Sequence, residues 1–318
     1  MGHMDTKKYD LTQGGILQRL FLVAAPLMAT QFLQMAYNLT DMFWLGRVSS
    51  DALASVSTAG MFMWLSMAFL VLGRMGAEIG VSQSMGRADP EAARSFAQNA
   101  LFLGAVAGIS YALFAHLFRH QLIGVFAIRE AHVAYDAAMY LGIVALGMPA
   151  TFLSGAVTGT FNGVGNSRVP FVINGFGLVL NMILTPIMIF TLELGVVGAA
   201  WSTVIAQVTV VLIALAVVRF SPIRPFAGLR FFVWPDFKRL KQMFRWTLPI
   251  SVEAGAFTIL SLFIARFVAA FGADALAGFL WAVLSGAATA GADRMEAVQK
   301  QTESCILSDQ AKASLAKR

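Results

Sequence analysis

The sequence is short of charged residues. Asp, Glu, Lys and Arg make up 13% of its 318 residues, and 58% of the residues are hydrophobic. A soluble domain usually carries about 25% charge. There is a single cysteine, Cys305, so no disulfide can form within one chain. The charge deficit excludes an ordinary soluble fold if the apolar residues lie in long runs.

The apolar residues do lie in long runs without charge. A helix needs about 20 residues to cross a hydrocarbon core, and helices satisfy their backbone hydrogen bonds within one segment. None of the runs alternates as the strands of a membrane β-barrel do. The sequence therefore predicts an all-α membrane protein, a polytopic helical bundle. The runs cover residues 20–40, 52–73, 95–118, 137–167, 169–192 and 194–218, then 246–265, which contains Glu253, and the marginal 275–292.

The residues behind the formal net charge of +6 are distributed as membrane topology predicts. If the N-terminus is cytoplasmic and the runs cross in alternation, residues 219–245 and the other cytoplasmic loops hold most of the Lys and Arg. Arg47, Arg119 and Arg129 then fall outside, as the positive-inside rule predicts. We expect a multi-pass protein of the bacterial inner (plasma) membrane with a cytoplasmic N-terminus. Its partner is the lipid bilayer, and nucleic acid is not expected.

Two landmarks recur at one offset and predict an internal repeat. Pro26 precedes Asp51-Ala-Leu-Ala, and Pro249 precedes Asp274-Ala-Leu-Ala, 223 residues later in both cases. Since six runs separate the copies, the second copy enters the membrane from the same side, which makes the repeat parallel. Two full copies would need twice the offset, about 446 residues, so we expect the second lobe to be incomplete in this chain.

These signals divide the chain into five predicted parts. An N-terminal six-helix lobe is followed by a basic linker and by the start of a second lobe. In order, the parts are a cytoplasmic leader at 1–16, the N-terminal lobe at 17–219, the cytoplasmic basic linker at 220–244, the first helices of a C-terminal lobe at 245–292 and a polar tail at 293–318.

Several stretches resemble the multidrug and toxic compound extrusion (MATE) transporters. The likeness extends over roughly residues 12–279 and depends on the whole set, not on one motif. It implies a twelve-helix, two-lobed exporter that moves cationic or amphipathic compounds in exchange for Na⁺ or H⁺, by alternating access about a central cleft. The stretches are 26–47 with the Asp-Ala-Leu-Ala that follows, Val-Ser-Gln-Ser-Met-Gly-Arg at 81–87, the glycine-rich 159–170, Asn-Met-Ile-Leu-Thr-Pro at 181–186, and 195–200.

Asp41 is the first candidate functional residue. It follows a long uncharged run, and an unpaired carboxylate costs at least ~2.5 kcal/mol at mid-membrane and less near an interface. It either takes part in proton or cation transfer or lies hydrated at the outer interface. The resemblance implies a cation site of Asp41, Asn181, Thr185 and Thr203, in which Thr185 replaces an acid of the family. For Asn181, a hydrogen bond between helices is an equal alternative.

A single carboxylate beside neutral oxygens is a weak Na⁺ site, because a second charge is missing. The substitution of Thr185 for an acid therefore favours H⁺ over Na⁺ as the coupling ion. No other cofactor and no bound metal are expected.

Other polar residues extend the candidate pathway. Gln34, Asn38 and Asp41 are spaced i, i+4, i+7, so they share one helix face, and Tyr37 lies beside them. This stripe predicts a water-filled substrate pathway or, alternatively, contacts between packed helices. Glu253 is a candidate for a second cation or drug-charge site, or else a residue near the cytoplasmic interface.

One ion pair is also predicted within a span. Arg74 and Glu78 are four residues apart near the cytoplasmic end of the second run, where a helix places them on one face. We expect the two side chains to pair with each other.

The leading function is a cation-coupled multidrug efflux antiporter for small organic cations or amphipathic drugs. A lipid-linked oligosaccharide flippase of the same superfamily is the first alternative, although Arg74 and Arg266 are the only basic residues within the spans for a pyrophosphate. A truncated fragment that does not transport is the second. No P-loop lysine follows Gly163-Val-Gly165, and no catalytic constellation occurs, so neither nucleotide binding nor enzyme activity is expected.

Overall fold

The computed structural model describes residues 16–128, 130–221, 225, 226, 229 and 234–269, and over these residues the chain is helical, without strands. The predicted all-α class is confirmed. The helices are α1 (Ile16–Val48), α2 (Ser50–Gly86), α3 (Pro90–Leu117), α4 (Arg119–Gly124), α5 (Ala131–Ala145), α6 (Met148–Gly163), α7 (Arg168–Pro186), a π-helical segment (Ile187–Thr191), α8 (Gly195–Phe220) and α9 (Phe237–Ala269).

Five of these helices are long and apolar enough to cross a membrane: α2, α3, α7 with its π-helical segment, α8 and α9. A sixth span is obtained if α5 and α6, which are bent by 48° at a short break, count as one broken span. This pair covers the predicted run at 137–167. Seven full runs were predicted over this part of the chain, and the first of them, 20–40, lies within α1. The eighth run, 275–292, lies outside the described residues.

Polar caps define where α2 and α3 begin, at opposite ends of α2. The Ser49 hydroxyl accepts a hydrogen bond from the Ala52 backbone N–H at 2.9 Å, which fixes the start of α2. Asp89 does the same for α3, where its Oδ1 atom accepts from the Ala92 N–H at 2.9 Å, and Pro90 occupies the first turn. The turn between α2 and α3 is therefore only three residues long, and the two helices pack side by side.

Helix α2 is the centre of the bundle and packs against α3, α5, α6 and α9, while α7 packs against α1 and α8. Glycine allows the closest of these approaches. A Cβ atom placed on Gly159 of α6 would lie 2.0 Å from the Arg74 carbonyl oxygen of α2. Such backbone contact between helices is a common device where lipid supplies no hydrophobic driving force.

Helix α9 begins inside the predicted basic linker. The carboxylate of Asp236 accepts hydrogen bonds from the backbone N–H groups of Lys238 and Arg239, at 3.0 and 3.4 Å, so the helix starts at Phe237 and includes residues assigned to the linker at 220–244. Both α9 and α1 are 33 residues long and carry an internal proline, as a repeat would require. The second Asp-Ala-Leu-Ala, at 274–277, lies outside the described residues.

Candidate functional site

A cluster of four polar side chains is buried between α7 and α8. Asn181, Thr185, Ser202 and Thr203 are each at most 4% exposed. The Asn181 amide donates to the Thr203 hydroxyl at 3.4 Å, and the Thr185 hydroxyl donates to the Asn181 carbonyl oxygen at 3.1 Å. The hydroxyl oxygens of Thr185 and Ser202 are 2.9 Å apart. Three of the four residues belong to the cation set that the family resemblance implies.

Helices α1 and α5 bring an acid and two phenols to this cluster. The half-buried carboxylate of Asp41 lies within hydrogen-bonding reach of the Thr185 hydroxyl. The phenols of Tyr37 and Tyr140 both lie close to the Thr203 hydroxyl and near Asp41. Four helices therefore meet at one polar centre, which we call the Asp41 cluster: Tyr37, Asp41, Tyr140, Asn181, Thr185, Ser202 and Thr203.

The hydrogen-bond directions leave oxygen lone pairs facing the centre of the Asp41 cluster. The hydroxyls of Ser202 and Thr203 donate to the Ala199 carbonyl of their own helix, at 2.8 and 3.0 Å. Each hydroxyl has one hydrogen and two lone pairs, so both oxygens act as acceptors toward α7. The single Thr185 hydrogen likewise serves only one of its neighbours at a time. The centre is therefore rich in acceptors, which suits a proton or another cation.

Within the part of the chain that the structure describes, no basic side chain pairs with Asp41. The ion pairs found in the described ranges are His132 with Asp51 at 2.8 Å and Arg239 with Asp236 at 3.3 Å, both at helix ends. Asp41 instead faces hydroxyls and phenols, which are neutral. A half-buried carboxylate that faces only neutral groups is costly to keep ionised, so neutralisation by a bound cation stabilises it.

The predicted pathway residues divide into two groups. Tyr37 joins the Asp41 cluster, and Gln34 lies two turns before Asp41 on the exposed side of α1. The side chain of Asn38 is outside the described residues. Glu253 is exposed on α9, a helix that packs mainly against α2, so the structure does not bring it to the Asp41 cluster.

One predicted contact is wrong. Arg74 and Glu78 form no ion pair within the described residues, and the Glu78 carboxylate instead accepts a hydrogen bond from the Asn162 amide of α6 at 3.4 Å. The i, i+4 spacing made the pair possible, but α6 packs closely on this side of α2 and supplies another partner.

Ser202 and Tyr140 are members of the Asp41 cluster that sequence reasoning missed. Ser202 directly precedes Thr203, a predicted site residue, and this adjacency was the signal that could have identified it. Tyr140 had no such signal, because it lies on α5 in the middle of an uncharged run and reaches the cluster only through the packing of α5 on α8.

Comparison with known proteins gives a consistent set of relatives. The "Probable multidrug resistance protein NorM" of Thermotoga maritima is 27% identical over 268 residues, which are 83% of this chain and 57% of that protein. A protein of the same name from Pseudomonas putida is 30% identical over 260 residues, covering 77% of this chain and 55% of its own length. The chain thus spans just over half the length of these relatives.

A solved structure with the same fold is described as the outward-facing conformation of a multidrug resistance MATE family transporter of the MOP superfamily. Its TM-score is 0.74 at 24% identity, over 84% of this chain and 58% of that one. The fold is therefore that of a multi-pass helical membrane protein. A family model described as MatE matches residues 26–187, just over half of the chain. The chain belongs to the MatE family, and the predicted membership is confirmed.

Proposed function

We propose that this chain forms the cation-coupled lobe of a multidrug efflux antiporter, and that Asp41 binds and releases the coupling ion. The observation that carries the proposal is the Asp41 cluster, in which a carboxylate with no basic partner among the described residues meets Asn181, Thr185 and Thr203 from two other helices. The names of the relatives support multidrug export as the activity. The protein would lie in the bacterial inner membrane with a cytoplasmic N-terminus and export small organic cations or amphipathic drugs.

H⁺ is the coupling ion that this site favours. Na⁺ prefers several oxygen ligands with more than one negative charge to offset the loss of its hydration shell. The Asp41 cluster offers one carboxylate, while Thr185 contributes a neutral hydroxyl at the position where the resemblance implies a second acid. A proton needs only the Asp41 oxygen, and the Thr185 and tyrosine hydroxyls can accept or donate a hydrogen bond in either state.

The flippase alternative has less support from this geometry. A pyrophosphate would need arginines or lysines at the centre of the lobe, whereas the residues that approach Asp41 in the described part of the chain are hydroxyls, phenols and an amide. The arrangement suits a cationic ligand.

Two measurements on Asp41→Asn test the proposal. The first is infrared difference spectroscopy of the purified chain in lipid between acidic and alkaline pH, which detects the C=O stretch of a protonated carboxyl group. We expect the wild-type band from Asp41 to be missing in Asp41→Asn and retained in Asp51→Asn, a control at the exposed start of α2. A band that persists in Asp41→Asn would remove Asp41 from the mechanism.

The second measurement is efflux of ethidium from cells that produce the chain. Asp41→Asn keeps the size of the side chain and removes its titration, so we expect loss of efflux with an unchanged amount of protein in the membrane. Ethidium efflux that the wild type performs and that Asp41→Asn performs equally would refute coupling through this residue. Transport that is stimulated by a lipid-linked sugar and unaffected by ethidium would favour the flippase.

A further inference from the structure

A second polar site lies far from the Asp41 cluster, where the α2–α3 turn meets the start of α9. A cavity of about 190 Å³ is bounded there by Gln83, Arg87, Arg239 and Gln242, with Phe96 and Trp246 as its apolar wall. Water occupies about 30 Å³ per molecule in the liquid, so the cavity has room for roughly six waters or one phosphodiester group. It is too small for a drug-sized ligand.

Arg239 is held rigidly at this cavity. Its Nε atom pairs with Asp236 at 3.3 Å, its Nη1 atom donates to the Ala92 carbonyl of α3 at 3.2 Å, and its guanidinium lies 5.6 Å from the Phe96 ring centre. A guanidinium has five N–H donors in a fixed fork, of which these contacts use two. Such a preorganised fork matches the oxygens of a phosphate.

The second arginine of the cavity is more accessible. Arg87 is exposed at the end of α2, and its guanidinium donates to the Gln83 side chain at 3.4 Å. Asp89 also lines the cavity, but its carboxylate caps α3 through the Ala92 N–H, and Asp236 caps α9 in the same way. The positive N-terminal ends of α3 and α9 therefore offset the charges of the two carboxylates. The two arginines then give the cavity a net attraction for anions.

The position of the cavity limits what can fill it. It opens where α2 ends and where α3 and α9 begin, and all three helices are long and apolar enough to cross a membrane. Trp246 and Phe96 pack with their ring centres 5.7 Å apart and their planes tilted by 33°. Tryptophan is enriched at the level of lipid head groups. Basic pockets between membrane helices bind anionic lipid head groups.

We propose that this cavity binds the phosphate group of an anionic phospholipid, whose acyl chains lie along α9 beside Trp246. The head group bridges Arg87 of the first lobe and Arg239 of α9, the first helix of the second repeat. The lipid therefore holds the start of α9 against the α2–α3 turn, independently of the coupling ion at Asp41.

Native mass spectrometry of the purified chain tests this site. The probes are dioleoylphosphatidylglycerol, dioleoylphosphatidylcholine with the same acyl chains but no net charge, and inorganic phosphate. We expect one molecule of phosphatidylglycerol to bind in preference to phosphatidylcholine. Arg87→Gln should weaken this binding about fivefold and the double variant Arg87→Gln/Arg239→Gln about 25-fold, since one basic residue near the membrane contributes about a factor of five.

The matched control is Arg168→Gln, which removes an exposed arginine at the start of α7 on the same side of the bundle but outside the cavity. It should bind phosphatidylglycerol as the wild type does, and all variants should elute as one species. Equal weakening by Arg168→Gln and Arg87→Gln would show unspecific charge attraction and overturn the site. Equal binding of phosphatidylcholine, or displacement of the lipid by millimolar phosphate, would overturn its assignment to an anionic phospholipid.

Discussion

The contact between α6 and α2 gives the sharpest test of the helix packing. In Gly159→Ala the new Cβ atom would lie 2.0 Å from the Arg74 carbonyl oxygen and 2.9 Å from the Arg74 carbonyl carbon. Both are backbone atoms, which no side-chain rotation can move, so α6 must shift away from α2 by about 1 Å. Overpacking of this kind costs about 1–3 kcal/mol, and the gain in helix propensity from Gly to Ala returns at most about 1 kcal/mol.

Gly155→Ala is the matched control on the same helix. One turn earlier, a Cβ atom would lie 3.2 Å from the Cδ2 atom of Leu70, and this flexible side-chain terminus can move by a few tenths of an ångström. We expect Gly155→Ala to be neutral or slightly stabilising. Gly159→Ala should therefore lose several degrees of thermal stability relative to Gly155→Ala, at about 2–4 °C for each kcal/mol.

The assay is thermal unfolding of both variants in detergent, followed by size-exclusion chromatography of the heated samples. The two variants have the same composition, so differences in expression or detergent binding cancel. Equal stability of Gly159→Ala and Gly155→Ala would refute the close backbone approach of α6 to α2.

Two further predictions concern the Asp41 cluster. Thr185→Asp places a second carboxylate beside Asp41, so we expect Na⁺ to stabilise this variant but not the wild type, by about 2.7 kcal/mol at a hundredfold its Kd; equal melting temperatures in NaCl and KCl would contradict this. Tyr140→Phe removes a buried phenol that lies close to Thr203 and should cost about 0.5–1.5 kcal/mol of stability, whereas Tyr135→Phe, exposed on the same helix, should cost nothing measurable. A Tyr140→Phe variant as stable as Tyr135→Phe would show that the Tyr140 hydroxyl makes no net contribution.

The break between α5 and α6 shows where hydropathy stops being informative. Residues 137–167 carry no charge and were predicted as one span, yet the chain bends by 48° between Ala145 and Met148. The bend is accompanied by a close approach, since a Cβ atom on Gly147 would lie 2.1 Å from the Oε1 atom of Gln207 in α8. The contacting residue lies 60 positions later in the chain, so the apolar pattern around Gly147 does not indicate the bend.

Helix α1 shows the opposite case. Its amides, its phenol and Asp41 interrupt a helix that is otherwise apolar. The same polar residues singled out Asp41 as a candidate, because an acid at the end of a long uncharged run needs a physical reason.

The sequence by itself determined the class of protein and singled out Asp41 as the candidate acid. Long uncharged runs have few stable alternatives to helices in lipid, because every backbone polar group needs a partner within its own segment. The tertiary structure alone decided which groups surround Asp41. Tyr140 and Ser202 lie about 100 and 160 positions further along the chain, and they reach the acid because small residues let α5, α7 and α8 pack closely enough for their side chains to meet.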